Sequence, residues 1–114
     1  MSDVGPARDL VIVGAGGHGR EVFELVVAVN AADPGPAWNL LGFLDDAVPD
    51  GESEARLSRL GARVLGGVDT VGDCGSDQLV AVVAVGDAML RSRLSAQVRA
   101  AGVAFVLAGP MDTL

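Results

Sequence analysis

The sequence predicts a three-layer α/β domain: a small parallel sheet of about five strands with helices on both faces. Three observations carry this. Short apolar, β-branched runs alternate with segments of helical periodicity along the whole chain. The run at 79–85 is apolar throughout, as a central parallel strand reads when helices cover both of its faces. Gly14, Gly16 and Gly19, with Gly17 between them, fit the spacing G-x-G-x-x-G directly after the first such run.

In chain order, residues 1–8 read as a loose leader. Leu10, Val11, Ile12 and Val13 form the first strand, too short a run to span a membrane. The glycine turn follows. One glycine makes the tight turn, one lets backbone approach a ligand, and one lets helix and strand pack closely. The free N–H groups at the next helix start then attract an anion, usually a phosphate. That helix runs over about 20–31, with Val22, Phe23, Val26, Val27 and Val29 as its apolar face. Asp33, Pro34, Gly35 and Pro36 stop it.

A second strand covers 39–45 and ends in the acidic pair Asp45 and Asp46. Residues 47–51 form a polar turn. A short helix spans 52–60, with Ala55, Leu57 and Leu60 inward, and Gly61 stops it. A short strand at 62–65, a break at Gly66 and Gly67, a turn or helix at 68–71 and a loop at 72–78 lead to the central strand at 79–85. Gly86 and Asp87 stand at its carboxyl end, with Asp87 placed to cap the next helix. That helix covers 88–101. Leu90, Leu94, Val98 and Ala101 face inward, and Arg91, Ser92, Ser95 and Arg99 face outward. Gly102 ends it. The last strand is 103–107, the domain body spans 9–108, and 109–114 is a short tail.

A chain of 114 residues suits one domain, which buries roughly two-thirds of its unfolded surface. The net charge is −7 and every basic residue is an arginine. There is no basic face for nucleic acid or an anionic membrane. A small phosphate ligand stays open, because a glycine loop supplies its own N–H donors. Cys74 is the single cysteine. It excludes an intramolecular disulfide, builds no metal cluster, and fits a reduced, cytoplasmic setting. No signal peptide or membrane anchor is read at the start of the chain.

Ligands of open α/β sheets sit beyond the carboxyl ends of the strands. The segment from Gly14 to Gly19, the pair Asp45 and Asp46, and the pair Gly86 and Asp87 all converge there. The carboxylates suit ribose hydroxyls or base N–H groups. His18 is the only histidine and reads as an orienting or surface group. No Ser or Cys partner completes a nucleophile triad, so no catalytic residue is assigned. Of the two arginines in the first turns of the last helix, Arg91 is preferred to Arg93 as a ligand contact because it is nearer Gly86.

Taken in order, Val-Ile-Val-Gly-Ala-Gly-Gly-His-Gly-Arg-Glu-Val, Leu-Gly-Phe-Leu-Asp-Asp, Val-Leu-Gly-Gly and Val-Ala-Val-Gly-Asp…Arg resemble the N-terminal domain of bacterial sugar acetyltransferases. These are the O- and N-acetyltransferases related to the bacillosamine-pathway and sialic acid enzymes. The resemblance covers about residues 10–107. It implies a Rossmann-like domain that binds a nucleotide-sugar, typically a UDP-sugar. Within the candidate binding stretch from Gly14 and Ala15 to Gly19, it places Gly16, Gly17 and His18 on the phosphates. Asp45 and Asp46 would hold the uridine, and Gly86, with Asp87 beside it, would line the same cleft. In that family the acetyl-CoA site and catalytic histidine lie in a following left-handed β-helix of hexapeptide repeats. Here Leu107, Ala108, Gly109 and Pro110 lead to Leu114 without such repeats. The expectation is therefore a stand-alone or truncated nucleotide-sugar-binding domain without its own acetyl-CoA site, with a separate hexapeptide-repeat chain as one candidate partner.

Two other readings stay open. The glycine spacing permits a small NAD-type dinucleotide-binding module, although Asp45 follows the glycines later than the usual distance of about 20 residues. A ligand-free interaction domain is the third. It would use an apolar face as a homodimer surface.

Overall fold

The computed structural model describes residues 7–32, 37–47, 50–75 and 77–108. The stop at residues 33–36, most of the leader, part of the turn at 47–51 and the tail at 109–114 lie outside them. The elements are β1 (Arg8–Val13), α1 (Gly17–Ala31), β2 (Trp38–Leu44), α2 (Gly51–Arg59), β3 (Val64–Gly66), a 3-10 helix (Val68–Asp73), β4 (Val80–Val83), α3 (Ala88–Ala100) and β5 (Ala104–Leu107). All neighbouring strands are parallel, in the order β3-β2-β1-β4-β5. The first strand is thus central, and the winding direction changes between β1 and β4. Such a reversal leaves a crevice at the carboxyl edge of the sheet.

Helices cover both faces, as expected. On one face Leu10, Ile12, Phe43 and Val82 pack under Val22, Phe23 and Val26 of α1 and Leu57 of α2. Phe23 stacks on Phe43 with ring centroids 5.5 Å apart. On the other face Val11, Val13, Leu44, Ala81 and Val83 pack under Leu94 and Val98 of α3 and Val68 and Val71 of the 3-10 helix. A strand buried on both sides has no polar face to alternate with, which is why β4 is buried at every position. Fully burying side chains such as Ile12 and Phe43 contributes about 1.5–3 kcal/mol each.

Several boundaries and faces differ from the sequence reading. β1 begins at Arg8, which the sequence assigns to the leader, because Arg8 pairs with Trp38. α1 begins at Gly17, so Gly17, His18 and Gly19 form its first turn rather than a loop before it. Its apolar face is narrower than the valines suggest: Val22, Phe23 and Val26 are buried, while Val27 and Val29 are exposed. In α2 Leu57 is buried but Ala55 faces solvent. In α3 Ser95, expected outside, is buried because its hydroxyl donates to the Arg91 carbonyl at 2.6 Å. Ala101 lies past the helix end and is exposed.

β2 carries an irregularity. Leu10 pairs with Leu40 but Val11 pairs with Gly42, so Leu41 and Gly42 together oppose one residue of β1. Gly42 has φ +145°, and a Cβ there would lie 2.8 Å from the Arg63 carbonyl oxygen. This bulge sets the faces of Phe43 and Leu44, and hence where Asp45 emerges from the sheet.

Candidate functional site

The glycine turn divides into two pairs with different jobs. Gly14 leaves β1 with φ +110°, and a Cβ there would lie 2.7 Å from the Ala84 carbonyl oxygen. Its N–H donates to the Leu44 carbonyl at 2.8 Å, while the Ala84 N–H donates to the Val13 carbonyl at 2.9 Å. Gly14 is therefore wedged between the ends of β2 and β4. A Cβ on Gly19 would come within 1.8 Å of the Gly14 carbonyl oxygen. Those two glycines let α1 sit down on the turn.

Gly16 and Gly17 are free of that pressure. A Cβ at Gly16 would meet nothing within 4 Å, and at Gly17 only Arg20 Nη2 at 3.8 Å. Gly16 is the N-cap of α1, with no side-chain cap bond and no acidic residue in the first turn. The Arg20 N–H reaches the Gly16 carbonyl at 3.0 Å and opens the helical ladder. The N–H groups before it have no helical carbonyl to reach, which is the general condition of a helix start. Positive dipole and free donors thus coincide at the crevice.

Asp45 and Asp46 brace this edge. Asp45 Oδ2 accepts from the Ala15 N–H and Oδ1 from the Ala47 N–H, both at 2.9 Å. Asp45 therefore ties the glycine turn to the end of β2. Asp46 Oδ1 accepts from the Val68 N–H at 2.9 Å. It thereby fixes the start of the 3-10 helix. A Cβ on Gly67 would lie 3.1 Å from that same oxygen, so the approach depends on glycine.

Between these groups lies a cavity of about 220 Å³. Its walls are Gly14 from β1's end, Leu44, Asp45, Asp46 and Ala47 from β2's end, Val68, Val85, and Leu90, Arg93 and Leu94 from α3. The α3 side presents two leucines and the basic Arg93, and the β2 side is acidic. The volume is below the 300–1,000 Å³ of a typical small-molecule pocket. The cavity has room for about one ring.

Of the residues singled out from sequence, Gly14, Asp45 and Asp46 line the cavity, and Ala15 joins it through Asp45. Gly16 and Gly17 lie at the start of α1 outside its wall. Gly86 stands free: a Cβ there would meet nothing within 4 Å. Asp87 caps α3, its Oδ1 accepting from the Leu90 N–H at 2.8 Å. His18 turns away to the far side: its Nε2 donates to the Ala108 carbonyl at 2.6 Å, and its Nδ1 lies 3.8 Å from Glu21 Oε2. It ties α1 to the chain after β5. Arg91 does not line the cavity; its Nη1 lies 3.5 Å from the Val85 carbonyl oxygen. Arg93 lines it instead. The signal is present in the helical spacing, since Leu90, Arg93 and Leu94 fall on one face at i, i+3 and i+4. Val68 and Val85 carry no sequence signal beyond being apolar. Among the described residues no group of His, Cys, Asp and Glu is arranged to hold a metal ion. No helix among them is long and apolar enough to cross a membrane.

A doubly wound parallel sheet with a glycine turn and an uncapped helix start at its reversal point defines a Rossmann-like domain. The family pattern of the PglD N-terminal domain matches residues 9–98, and the chain belongs to that family. Among solved structures it is similar to the acetyltransferase domain of PglB from Neisseria gonorrhoeae FA1090 in complex with acetyl coenzyme A. The two share 27% identity with a TM-score of 0.60, over 86% of this chain and 42% of that one. The chain thus spans less than half the length of that relative. No curated protein matches it.

Proposed function

We propose that this domain binds a nucleotide-sugar for an acetyltransferase. The carrying observation is the uncapped start of α1 at Gly16 and Gly17, beside a cavity that takes one ring. The diphosphate runs from the first turn of α1, where donors and dipole favour an anion, to the mouth of the cavity. The base enters the cavity between Asp46 and Val85. Asp45 acts mainly as the brace of the turn, because both of its oxygens already accept backbone N–H groups. This weighs against an NAD-type reading, in which the acidic residue after the second strand serves ribose hydroxyls.

Acetyl transfer is the reaction we propose the domain to serve, since the similar gonococcal structure holds acetyl coenzyme A. We place that donor outside these residues and assign them no catalytic step; the cavity beside α1, about 220 Å³, supports this reading. A hexapeptide-repeat catalytic portion is the partner this reading requires.

Titration calorimetry with UDP, UDP-N-acetyl sugars and NADH tests the proposal. Heat and a thermal shift are expected with the UDP ligands and not with NADH. Absence of both at millimolar UDP-sugar would remove it, and a response to NADH alone would move the assignment to a dinucleotide. Gly17→Val is expected to fold, since its side chain has room, and to lose the ligand by covering the helix start.

A further inference from the structure

We infer that Arg93 sets the charge preference of the cavity: its guanidinium takes a phosphate oxygen of the bound nucleotide and so separates nucleotides from uncharged nucleosides. This rests on the nucleotide-sugar reading above and adds a specificity-determining residue to it. Three charged side chains line the cavity: Asp45, Asp46 and Arg93. The carboxylates accept from the N–H groups of Ala15, Ala47 and Val68, so they stay in place as part of the wall. A phosphate approaching that wall meets two negative charges. In a chain of net charge −7 no long-range field draws it in. The start of α1 offers uncharged donors, with Arg20 beside it (Nη1 3.3 Å from the Ala15 carbonyl oxygen), and Arg93 is the cation in the cavity wall itself.

The placement of Arg93 suits the task. Leu90 and Leu94, on the same face of α3, line the cavity with it. Its guanidinium makes no hydrogen bond or ion pair with another described residue, so its donors are available. A guanidinium presents paired N–H groups that match two phosphate oxygens, and such charge-assisted contacts are the stronger kind. Arg91, nearer Gly86 in sequence, lies against the Val85 carbonyl instead.

The test measures UDP and uridine binding by calorimetry on the wild type, Arg93→Gln and Arg93→Lys, at low and high salt. Arg93 is exposed, so the variants should keep the wild-type melting temperature. Arg93→Gln is expected to weaken UDP about tenfold, leave uridine unchanged, and flatten the salt dependence of UDP binding. Arg93→Lys should recover part of the loss. An equal loss for UDP and uridine would overturn the inference by placing Arg93 on the ring, as would unchanged UDP binding. A wild type that binds neither probe overturns the nucleotide reading and this inference together. A wild type that binds UDP no better than Arg93→Gln does overturns this inference alone.

Discussion

Replacing Asp45 by alanine removes the acceptor that holds the glycine turn to β2. The Ala15 N–H loses its partner while remaining in a site where Ala15 is 8% exposed. A hydrogen bond to a charged group contributes about 1.5–3 kcal/mol, and an orphaned buried donor costs a similar amount. The second bond, to the exposed Ala47 N–H, contributes less. The sum for Asp45→Ala is about 3 kcal/mol. A domain of this size loses about 4 °C of melting temperature per kcal/mol, so the midpoint should fall by about 12 °C. Asp45→Asn keeps one acceptor oxygen and turns an amide donor toward the other N–H. It should therefore lose about half as much. Urea and thermal melts followed by far-UV circular dichroism measure both. An Asp45→Ala protein within about 0.5 kcal/mol of wild type, the ordinary range for a surface change, would refute the brace. Asp45 would then be free to serve a ligand alone.

The glycines should separate by alanine substitution. Gly19→Ala meets the Gly14 carbonyl and Gly14→Ala meets Ala84, so both should give little folded protein, whereas Gly16→Ala should melt with the wild type; soluble yield and melting temperature report this. Asp50 caps α2 by accepting from the Ser53 N–H at 2.7 Å, and the Ser53 N–H and hydroxyl hold its carboxyl below the usual aspartate range. Because its folded value is depressed, its contribution is present above the ordinary value of about 3.9 and is lost as the pH drops through the lower folded value. Asp50→Asn should therefore flatten the acid limb of the stability profile, as melts across that range would show. Burial pushes the Cys74 thiol up, and its Sγ lies 3.4 Å from the Thr70 carbonyl oxygen. Iodoacetamide should modify it more slowly at neutral pH than a free cysteine, with mass spectrometry as the readout.

Much of the fold is legible in the sequence because its signals are local. Strands buried on both faces read as unbroken apolar runs, and caps such as Asp87 announce themselves by residue type and position. Side-chain environment is less legible. Periodicity names a helical face but not the width of what covers it, so Val27, Val29 and Ala55 read as inward and are exposed. Ser95 goes the other way, because its hydroxyl finds an acceptor within its own helix. At the site, spacing reveals the glycines and the acidic pair but not their division of labour. That depends on which atoms stand 2–4 Å away, as Gly14 and Gly16 illustrate. Nearness in sequence favours Arg91 over Arg93, whereas the turn of α3 decides which of them meets the cavity.

The bulge in β2 has a consequence for how the chain tolerates length changes. In a strand packed on both sides, adding or removing one residue ordinarily turns every later side chain to the wrong face. Here Ile12 still pairs with Phe43 and Val13 with Leu44, although Leu41 and Gly42 share a single partner in Val11. Deleting Gly42 would leave Leu41 opposite Val11 and keep both following pairs in register. The strand therefore has one position where a residue can be lost without inverting its core. The bulge behaves as an insertion that the sheet has absorbed, leaving Phe43, Leu44 and Asp45 where the site needs them.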